Sequence, residues 1–177
     1  MKYSKLKPNQ IISLNDYPLY NEHILKMYFR MFHMGQEKIV PPCPVINSSR
    51  VSIKIRGKGT NAKKYNKLLD EFRHTHPDAK YFLLDGSHKT TAATLCRKTI
   101  SVLIFQSNRD IKIARKLVER GELMSLSIEE NSIDEISRTL KKHFLKHMHF
   151  QTVKEKTERM IKDKIIPFYM IKAYKRQ

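Results

Sequence analysis

The residues best suited to chemistry in this sequence lie together in one short segment, Asp85-Gly86-Ser87-His88-Lys89. The apolar run Tyr81-Phe82-Leu83-Leu84 precedes it and predicts a buried strand, while Thr90, Ala92 and Ala93 follow it and predict a helix of small residues. A glycine turn between a strand and a helix aims backbone N–H groups and the positive end of the helix dipole at one point. The segment therefore predicts a site for an anion such as phosphate.

Each side chain of this turn has its own part in the prediction. Gly86 allows close backbone approach, Ser87 supplies a small hydroxyl donor, and His88 and Lys89 add two cationic or donor groups. Asp85, at the other edge, suits a metal ion or the acceptance of a proton. The same segment is also compatible with an ordinary Asp-Gly turn in which Ser87 caps the helix and His88 and Lys89 are solvated. The sequence leaves both interpretations open.

The elements that must position this turn begin near the N-terminus. Residues 6–14 predict a short entering strand, and Asn15-Asp16-Tyr17-Pro18 predicts a turn after it. Asn21 is the expected cap of a helix that Gly35 ends. Apolar residues recur in this helix at i, i+3, i+4 and i+7 and predict one buried stripe, made of Ile24, Met27, Tyr28 and Met31.

The middle of the chain alternates between predicted strands and helices. Pro41-Pro42-Cys43-Pro44 stiffens the entry into a strand at Val45-Ile46. A second strand, pairing with it as a hairpin, is predicted by the alternating residues Val51, Ile53 and Ile55. The loop 57–61 precedes a helix whose apolar positions are Tyr65, Leu68, Leu69 and Phe72, and a buried strand follows at 101–105. This order is typical of an α/β fold.

From Asn108 onward the pattern is helical. The first of these helices is predicted by Ile113, Ala114, Leu117 and Val118 and ends at Gly121. Two further helices are predicted by capping boxes, made by Ser132 with Glu135 and by Thr152 with Glu155. We therefore divide the chain into a domain over residues 1–107 and a basic helical extension over residues 108–177 that packs on it.

Charge is the strongest signal in the composition. The net charge is +18, and residues 138–176 contain twelve Lys or Arg against three acidic residues. Such an excess attracts polyanions, which makes DNA a candidate partner, although it also serves solubility. The chain has neither an apolar run long enough to span a bilayer nor a secretory signal, so no membrane partner and a cytoplasmic location are expected. Cys43 and Cys96 are expected to be reduced thiols.

The segment Leu84-Asp85-Gly86-Ser87-His88-Lys89-Thr90-Thr91-Ala92-Ala93 resembles the ParB and sulfiredoxin superfamily, whose members share a strand, a Gly-x-His-Arg-like or Gly-x-Arg-Arg-like turn and an alanine-containing helix. The resemblance extends over roughly residues 6–105, with a long segment at 50–78 between the matched parts. It implies an α/β fold with a mixed sheet and flanking helices. Lys89 stands where an Arg is more usual, which keeps the charge but loses the bidentate contact.

In that superfamily the turn holds nucleotide phosphates. The resemblance therefore implies that Gly86, Ser87, His88, Lys89 and Thr90 bind the phosphates of a purine or pyrimidine nucleotide, ATP, ADP or CTP. Sulfiredoxins carry a cysteine at the position of Ser87, so sulfinic-acid reduction is not expected. ParB partition proteins carry a helix-turn-helix after this domain, but residues 132–150 contain no glycine turn between two short helices.

The branch that resembles free serine kinases fits two further residues. A glutamate at the start of the first helix and the aspartate of the turn serve phosphoryl transfer there, and Glu22 and Asp85 occupy these places. The resemblance implies that Glu22 is the base and that Asp85 contacts Mg²⁺, with a small hydroxyl-bearing molecule as the phosphate acceptor. The alternative is a DNA-binding protein, partition-like or nuclease-like, that uses its basic C-terminal helices.

Overall fold

The computed structural model describes residues 1–14, 19, 21–57, 59–120, 123 and 129–176, and within them the chain forms an α/β fold. The strands are β1 Lys2–Leu6, β2 Ile11–Ile12, β3 Cys43–Asn47, β4 Tyr81–Leu83 and β5 Ile100–Phe105. The helices are α1 Glu22–His33, α2 Thr60–Thr75, α3 Ser87–Leu95, α4 Asn108–Glu119, α5 Ile133–His147, α6 Val153–Lys162 and α7 Phe168–Arg176. Short 3₁₀ turns occupy Pro8–Gln10, Glu37–Ile39 and Ser48–Arg50.

The five strands form one mixed sheet in the order β1-β5-β3-β4-β2. β2 runs parallel to β4, and β3 runs parallel to β5. β3 is antiparallel to β4, and β1 is antiparallel to β5. The expected mixed sheet with flanking helices is therefore present.

Alternation along the strands divides the apolar residues between two cores. Ile11, Val45 and Leu83 belong to one core, whereas their chain neighbours Ile12, Ile46 and Phe82 belong to the other. Successive side chains of a strand point to opposite faces, so a sheet buried on both sides must be apolar at nearly every position. The first core is completed by α1, α3, α6 and α7, and the second by α2, α4 and α5. The molecule therefore has three layers, with helices on both faces of the sheet.

The helices after residue 107 contribute to both cores. On the face of α2, α5 adds Ile136, Leu140 and Phe144. On the opposite face, α6 and α7 add Val153, Met160, Met170 and Ile171, all of them buried. Within the described parts of the chain, no helix combines the length and the apolar character needed to span a bilayer.

The entering strand predicted over residues 6–14 was wrong in extent. The structure has β1 at Lys2–Leu6 and β2 at Ile11–Ile12, with the 3₁₀ turn Pro8–Gln10 between them. Proline has no backbone N–H to donate to a strand pair, so Pro8 interrupts the ladder. The predicted turn Asn15-Asp16-Tyr17-Pro18 lies outside the described residues.

The first helix is present, and its buried stripe was predicted correctly in part: Tyr28 is buried, and Ile24 and Met31 are partly buried against the first core. Asn21 caps α1 by accepting a hydrogen bond from the Ile24 N–H at 3.2 Å, and Gly35 follows the helix with a positive φ of 73°. The buried residues are Leu25, Tyr28, Phe29 and Phe32. Met27 is 38% exposed instead.

The strand predicted at Val51, Ile53 and Ile55 is not part of the sheet. Both edges of β3 are already paired, by β4 and β5, so no edge beside it is open to a hairpin partner. Val51 and Ile53 are nevertheless buried in the second core. The side chain of Asn66 on α2 takes the place of a strand partner, because it accepts from the Ile55 N–H at 3.0 Å and donates to the Ile55 carbonyl at 2.9 Å.

The remaining strands and helices are present in the predicted order, but two details of the helices differ. The predicted strands at Val45-Ile46 and 101–105 and the helix after the loop 57–61 are β3, β5 and α2. The Thr152–Glu155 capping box is confirmed, with the Thr152 N–H donating to Glu155 at 2.7 Å. Ser132 caps α5, but Glu135 accepts from the Asn131 N–H instead of completing a box. In α4 the buried positions are Asp110, Ile111 and Ala114, so of the predicted stripe only Ala114 is fully buried, while Ile113, Leu117 and Val118 are partly buried. The predicted stop at Gly121 lies outside the described residues.

Candidate anion-binding site at the β4–α3 turn

The predicted strand, turn and helix follow one another as expected. β4 ends at Leu83, one residue earlier than predicted, and α3 begins at Ser87. Gly86 is the N-cap of α3 and adopts the left-handed conformation, with φ 103° and ψ 32°. Asp85 accepts a hydrogen bond from the Gly86 N–H at 2.6 Å. The N-terminal N–H groups of α3 therefore begin directly at the turn, with the positive end of the helix dipole.

Gly86 is required here for two reasons. Its φ lies in the region that residues with a side chain rarely adopt. A Cβ at this position would also lie 2.7 Å from the Cys43 Sγ and 3.1 Å from the Lys89 Cε. The absence of a side chain thus lets the turn lie directly against the start of β3.

Sheet topology brings several segments to the edge where this turn lies. β4 and β2 are parallel, so their carboxyl ends share that edge, and β3 begins there because it is antiparallel to β4. The Leu84 N–H donates to the Pro44 carbonyl at 3.0 Å. Just past β2, the Ser13 N–H donates to the Gln151 carbonyl at 2.9 Å, which draws the start of α6 to the same edge.

One side chain from α6 reaches the turn itself. The Lys156 ammonium donates to the Ser87 Oγ at 3.5 Å, and the Lys156 side chain is only 1% exposed. A buried ammonium is costly unless a polar or anionic partner compensates it. Lys156 therefore places a positive charge beside the first residue of α3, where the helix dipole already favours an anion.

Lys89 lies in a second buried position beside the turn. It is 7% exposed, and its ammonium donates to the Pro42 carbonyl at 3.4 Å. The neighbouring Cys43 thiol is buried, which raises its pKa to about 11 although the charge of Lys89 opposes the rise. Burial also raises the pKa of Tyr28 on α1, and the nearby Cys43 and Asp85 raise it further. Tyr28 of α1 thus lies close to the turn.

The other residues of the predicted site have specific positions. His88 is buried, at 7% exposure, so the interpretation with solvated His88 and Lys89 side chains does not hold. Ser87 is the first residue of α3 and not its cap, since Gly86 holds that position. The Thr90 hydroxyl donates to the Gly86 and Ser87 carbonyls, each at 3.1 Å. Thr90 therefore holds the backbone of the turn in place.

The two carboxylates of the predicted site have different surroundings. Glu22 is the first residue of α1, is exposed, and forms an ion pair with Lys26 one helical turn away. The hydrogen bond from Lys26 lowers the pKa of Glu22. Asp85 lies in the turn itself and binds the Gly86 N–H. Mg²⁺ is commonly held by one or two carboxylates together with substrate phosphates, and Asp85 is the carboxylate at this turn.

Sequence reasoning missed Lys156, Tyr28 and Cys43. A signal for Lys156 exists, because α6 buries Val153, Lys156, Thr157 and Met160, which recur at i, i+3, i+4 and i+7. A lysine at a core position of such a stripe indicates a buried charge with a dedicated partner. Cys43 had no comparable signal, since only the register of β3 beside β4 brings it to Gly86.

Comparisons with known proteins do not assign the chain to a family. No family model matches the chain, and neither the curated proteins nor the solved structures gave a match.

Proposed function

We propose that this chain is related to the ParB and sulfiredoxin superfamily and binds a nucleotide by its phosphates at the turn formed by residues 85–90. One observation carries the proposal: Lys156, a nearly fully buried lysine of α6, contacts Ser87 at the N-terminus of α3. A buried cation beside a helix N-terminus concentrates positive potential at one point, and a phosphate group matches it.

Two kinds of group would share the phosphate charge in this arrangement. The first-turn N–H groups of α3 act as donors that face the turn. The Lys156 and Lys89 ammonium groups add positive charge from different elements, and both are buried, where solvent screens charge less. Gly86 contributes through its backbone, because its missing Cβ leaves room for the Cys43 Sγ and the Lys89 Cε beside the turn.

The reaction we propose is phosphoryl transfer from this nucleotide to a small hydroxyl-bearing molecule, as in a free serine kinase. Asp85 would hold Mg²⁺ with the phosphates, and Glu22 would orient the attacking hydroxyl and take its proton. Glu22 is bound to Lys26 in this structure, so it must leave that ion pair before it acts as a base. If Glu22 is the base, replacing Lys26 should therefore change the rate of phosphoryl transfer without changing the nucleotide affinity.

Isothermal titration with ATP, ADP and CTP, each with and without Mg²⁺, tests the binding step. Lys156→Met keeps the length of the side chain but removes its charge, and we expect it to weaken nucleotide binding about 10- to 100-fold. Lys154→Met is the matched control, because Lys154 lies on the same helix but is exposed and paired with Glu158 at 3.8 Å. Equal affinities of the two variants would exclude the turn as the phosphate site.

A second candidate function, DNA binding, is favoured by the distribution of exposed charge. Lys142 and Lys146 on α5 and Lys154 and Lys162 on α6 are exposed, and the chain has a net charge of +18. Binding through phosphate contacts should weaken steeply with salt and depend little on base sequence. Filter binding of one duplex at two salt concentrations tests this, and the absence of a complex at both would exclude it.

A further inference from the structure

Exposed apolar side chains of this chain concentrate where α1 meets α7. Eight large apolar side chains are exposed among the described residues, and five of them lie in or beside this region. The five are Met27, Met34, Ile39, Phe168 and Tyr169, with Phe168 at 77% and Met34 at 72% exposure. All of them except Phe168 line two hollows beside α1, and large contiguous exposed apolar patches mark interaction sites.

Two hollows open on this surface and share three lining residues. One, of about 610 Å³, is lined by α1 and α7, and the other, of about 740 Å³, lies between α1, Tyr169 and the 3₁₀ turn at Glu37–Ile39. Arg30, Met34 and Tyr169 line both hollows. We call the combined surface, together with Lys172 and Arg176 at its α7 side, the α1–α7 groove.

The floor of the α1–α7 groove is well packed. The Tyr169 ring contacts the buried Phe29 ring edge-on, with centroids 5.7 Å apart. His33 stacks on the same Phe29 ring at 5.5 Å. Methionines complete the lining, and their flexible thioether side chains adapt to a partner's surface. The groove thus has packed aromatic rings at its floor and flexible methionine side chains along its side.

The charged side chains that line the groove are all cationic. Its lining includes Lys26, Arg30, Lys172 and Arg176 and has no acidic residue. Lys26 pairs with Glu22, whereas Arg30, Lys172 and Arg176 form no ion pair within the described residues. An apolar base flanked by these cations complements a surface that carries apolar groups and carboxylates.

The residues that line the groove indicate which class of molecule binds there. Aromatic residues, methionine and arginine are the residues enriched in the cores of protein interfaces. A second copy of this chain would bring the same cations against one another, at a net charge of +18 for each copy. Single-stranded nucleic acid binds by stacking bases on successive exposed aromatic rings. In the groove Phe29 is only 3% exposed, and Tyr169 is the one exposed Phe or Tyr ring of the described lining.

We propose that the α1–α7 groove docks an acidic amphipathic helix of a partner protein. The apolar face of that helix lies against Met34 and Tyr169, and its carboxylates pair with Arg30, Lys172 and Arg176. This is the groove mode of helix recognition, in which apolar residues at i, i+3, i+4 and i+7 anchor the bound segment. The binding is independent of nucleotide at the β4–α3 turn.

A fluorescent peptide of about 18 residues, long enough for five helical turns, serves as the probe. It carries leucines at i, i+3, i+4 and i+7 and glutamates elsewhere, and a second peptide of identical composition scatters the leucines around the helix. Fluorescence anisotropy with the full-length protein should show at least about tenfold tighter binding of the amphipathic peptide. Equal binding of the two peptides would overturn the proposal.

Variants locate the binding on the protein. Met34→Ala with Tyr169→Ala removes apolar contacts, and Arg30→Gln with Arg176→Gln removes charge without touching the Phe29 packing. Each pair should weaken the amphipathic peptide at least about tenfold. Tyr3→Ala is the control, because Tyr3 is 63% exposed on β1 and outside the groove. Unchanged binding in both paired variants would refute the proposal, as would groove variants that weaken only an oligo-dT probe.

Discussion

The Lys156 ammonium lies 3.5 Å from the Ser87 Oγ, although 69 positions separate the two residues in the sequence. Ser87 begins α3, next to the sheet, and Lys156 lies in the first turns of α6, near the end of the chain. The α6 helix therefore contributes to the candidate site directly and does not merely cover the sheet. The predicted division at residue 107 separates two parts of the sequence that meet at this contact.

The first prediction concerns Gly86, with Gly35 as the matched control. Both have positive φ, but a Cβ at Gly35 meets no atom within 4 Å, whereas one at Gly86 lies 2.7 Å from the Cys43 Sγ. Gly35→Ala should lower the free energy of unfolding by about 1–2 kcal/mol for the left-handed backbone alone. Gly86→Ala should cost about 1–3 kcal/mol more because of the added clash.

Urea unfolding of both glycine variants measures these differences. If Gly86→Ala were no less stable than Gly35→Ala, the turn would not lie against β3 as the structure has it.

The second prediction concerns stability at high pH. Burial raises the pKa of Cys43 and of Cys96 from the ordinary 9.0 to about 11. Between these values the unfolded thiols lose protons that the folded protein keeps. The unfolded state then binds fewer protons, so the free energy of unfolding should fall as the pH rises from about 9 toward 11.

The Cys43→Ala, Cys96→Ala double variant should lose much of this pH dependence, although removal of buried side chains lowers its stability at every pH. Denaturant unfolding at pH 8, 9 and 10 compares the slopes. Tyr65, whose pKa burial raises from 10.0 to about 12, adds to the slope near pH 10, but it does so equally in both proteins because both retain it. The same slope in both proteins would show that the thiols are not the groups responsible.

The third prediction separates phosphoryl transfer from nucleotide binding. Glu22→Gln should keep the fold and the nucleotide affinity but abolish turnover, since an amide accepts no proton at neutral pH. Lys26→Met, which removes the ion-pair partner of Glu22, should retain turnover or increase it. The assay follows nucleotide consumption with a panel of free amino acids, serine first, and detects the phosphorylated product by mass. A wild-type protein that modifies no acceptor would leave a binding role as the better account.

The fourth prediction concerns a chain cut after residue 107. Both cores lose buried side chains in this fragment, including Phe144 from the α2 face and Met160 and Met170 from the other. Because burial of such residues contributes about 1.5–3 kcal/mol each, we expect residues 1–107 to lack cooperative unfolding. Thermal unfolding followed by circular dichroism compares the fragment with the full chain, and a sharp transition in the fragment would contradict this expectation.

Short-range patterns were sufficient to predict the centre of the candidate site. An apolar run, a glycine and a helix of small residues place β4, the turn and α3 in order, because each of these preferences acts over a few residues. The caps at Asn21 and Thr152 were predicted for the same reason: the hydrogen bond of a cap spans only three positions.

The sequence by itself thus determined the order of most elements and the location of the turn, but only the tertiary structure decided what surrounds the turn. Val51 and Ile53 alternate like a strand, yet β4 and β5 already occupy both edges of β3. Met27 has helical spacing like a core residue but is partly exposed, because the rotation of α1 is set by how its aromatic residues pack. The spacing of α6 marks Lys156 as a core position, but its contact with Ser87 depends on where α6 packs against α3, and no short-range pattern specifies a contact between segments so distant in sequence.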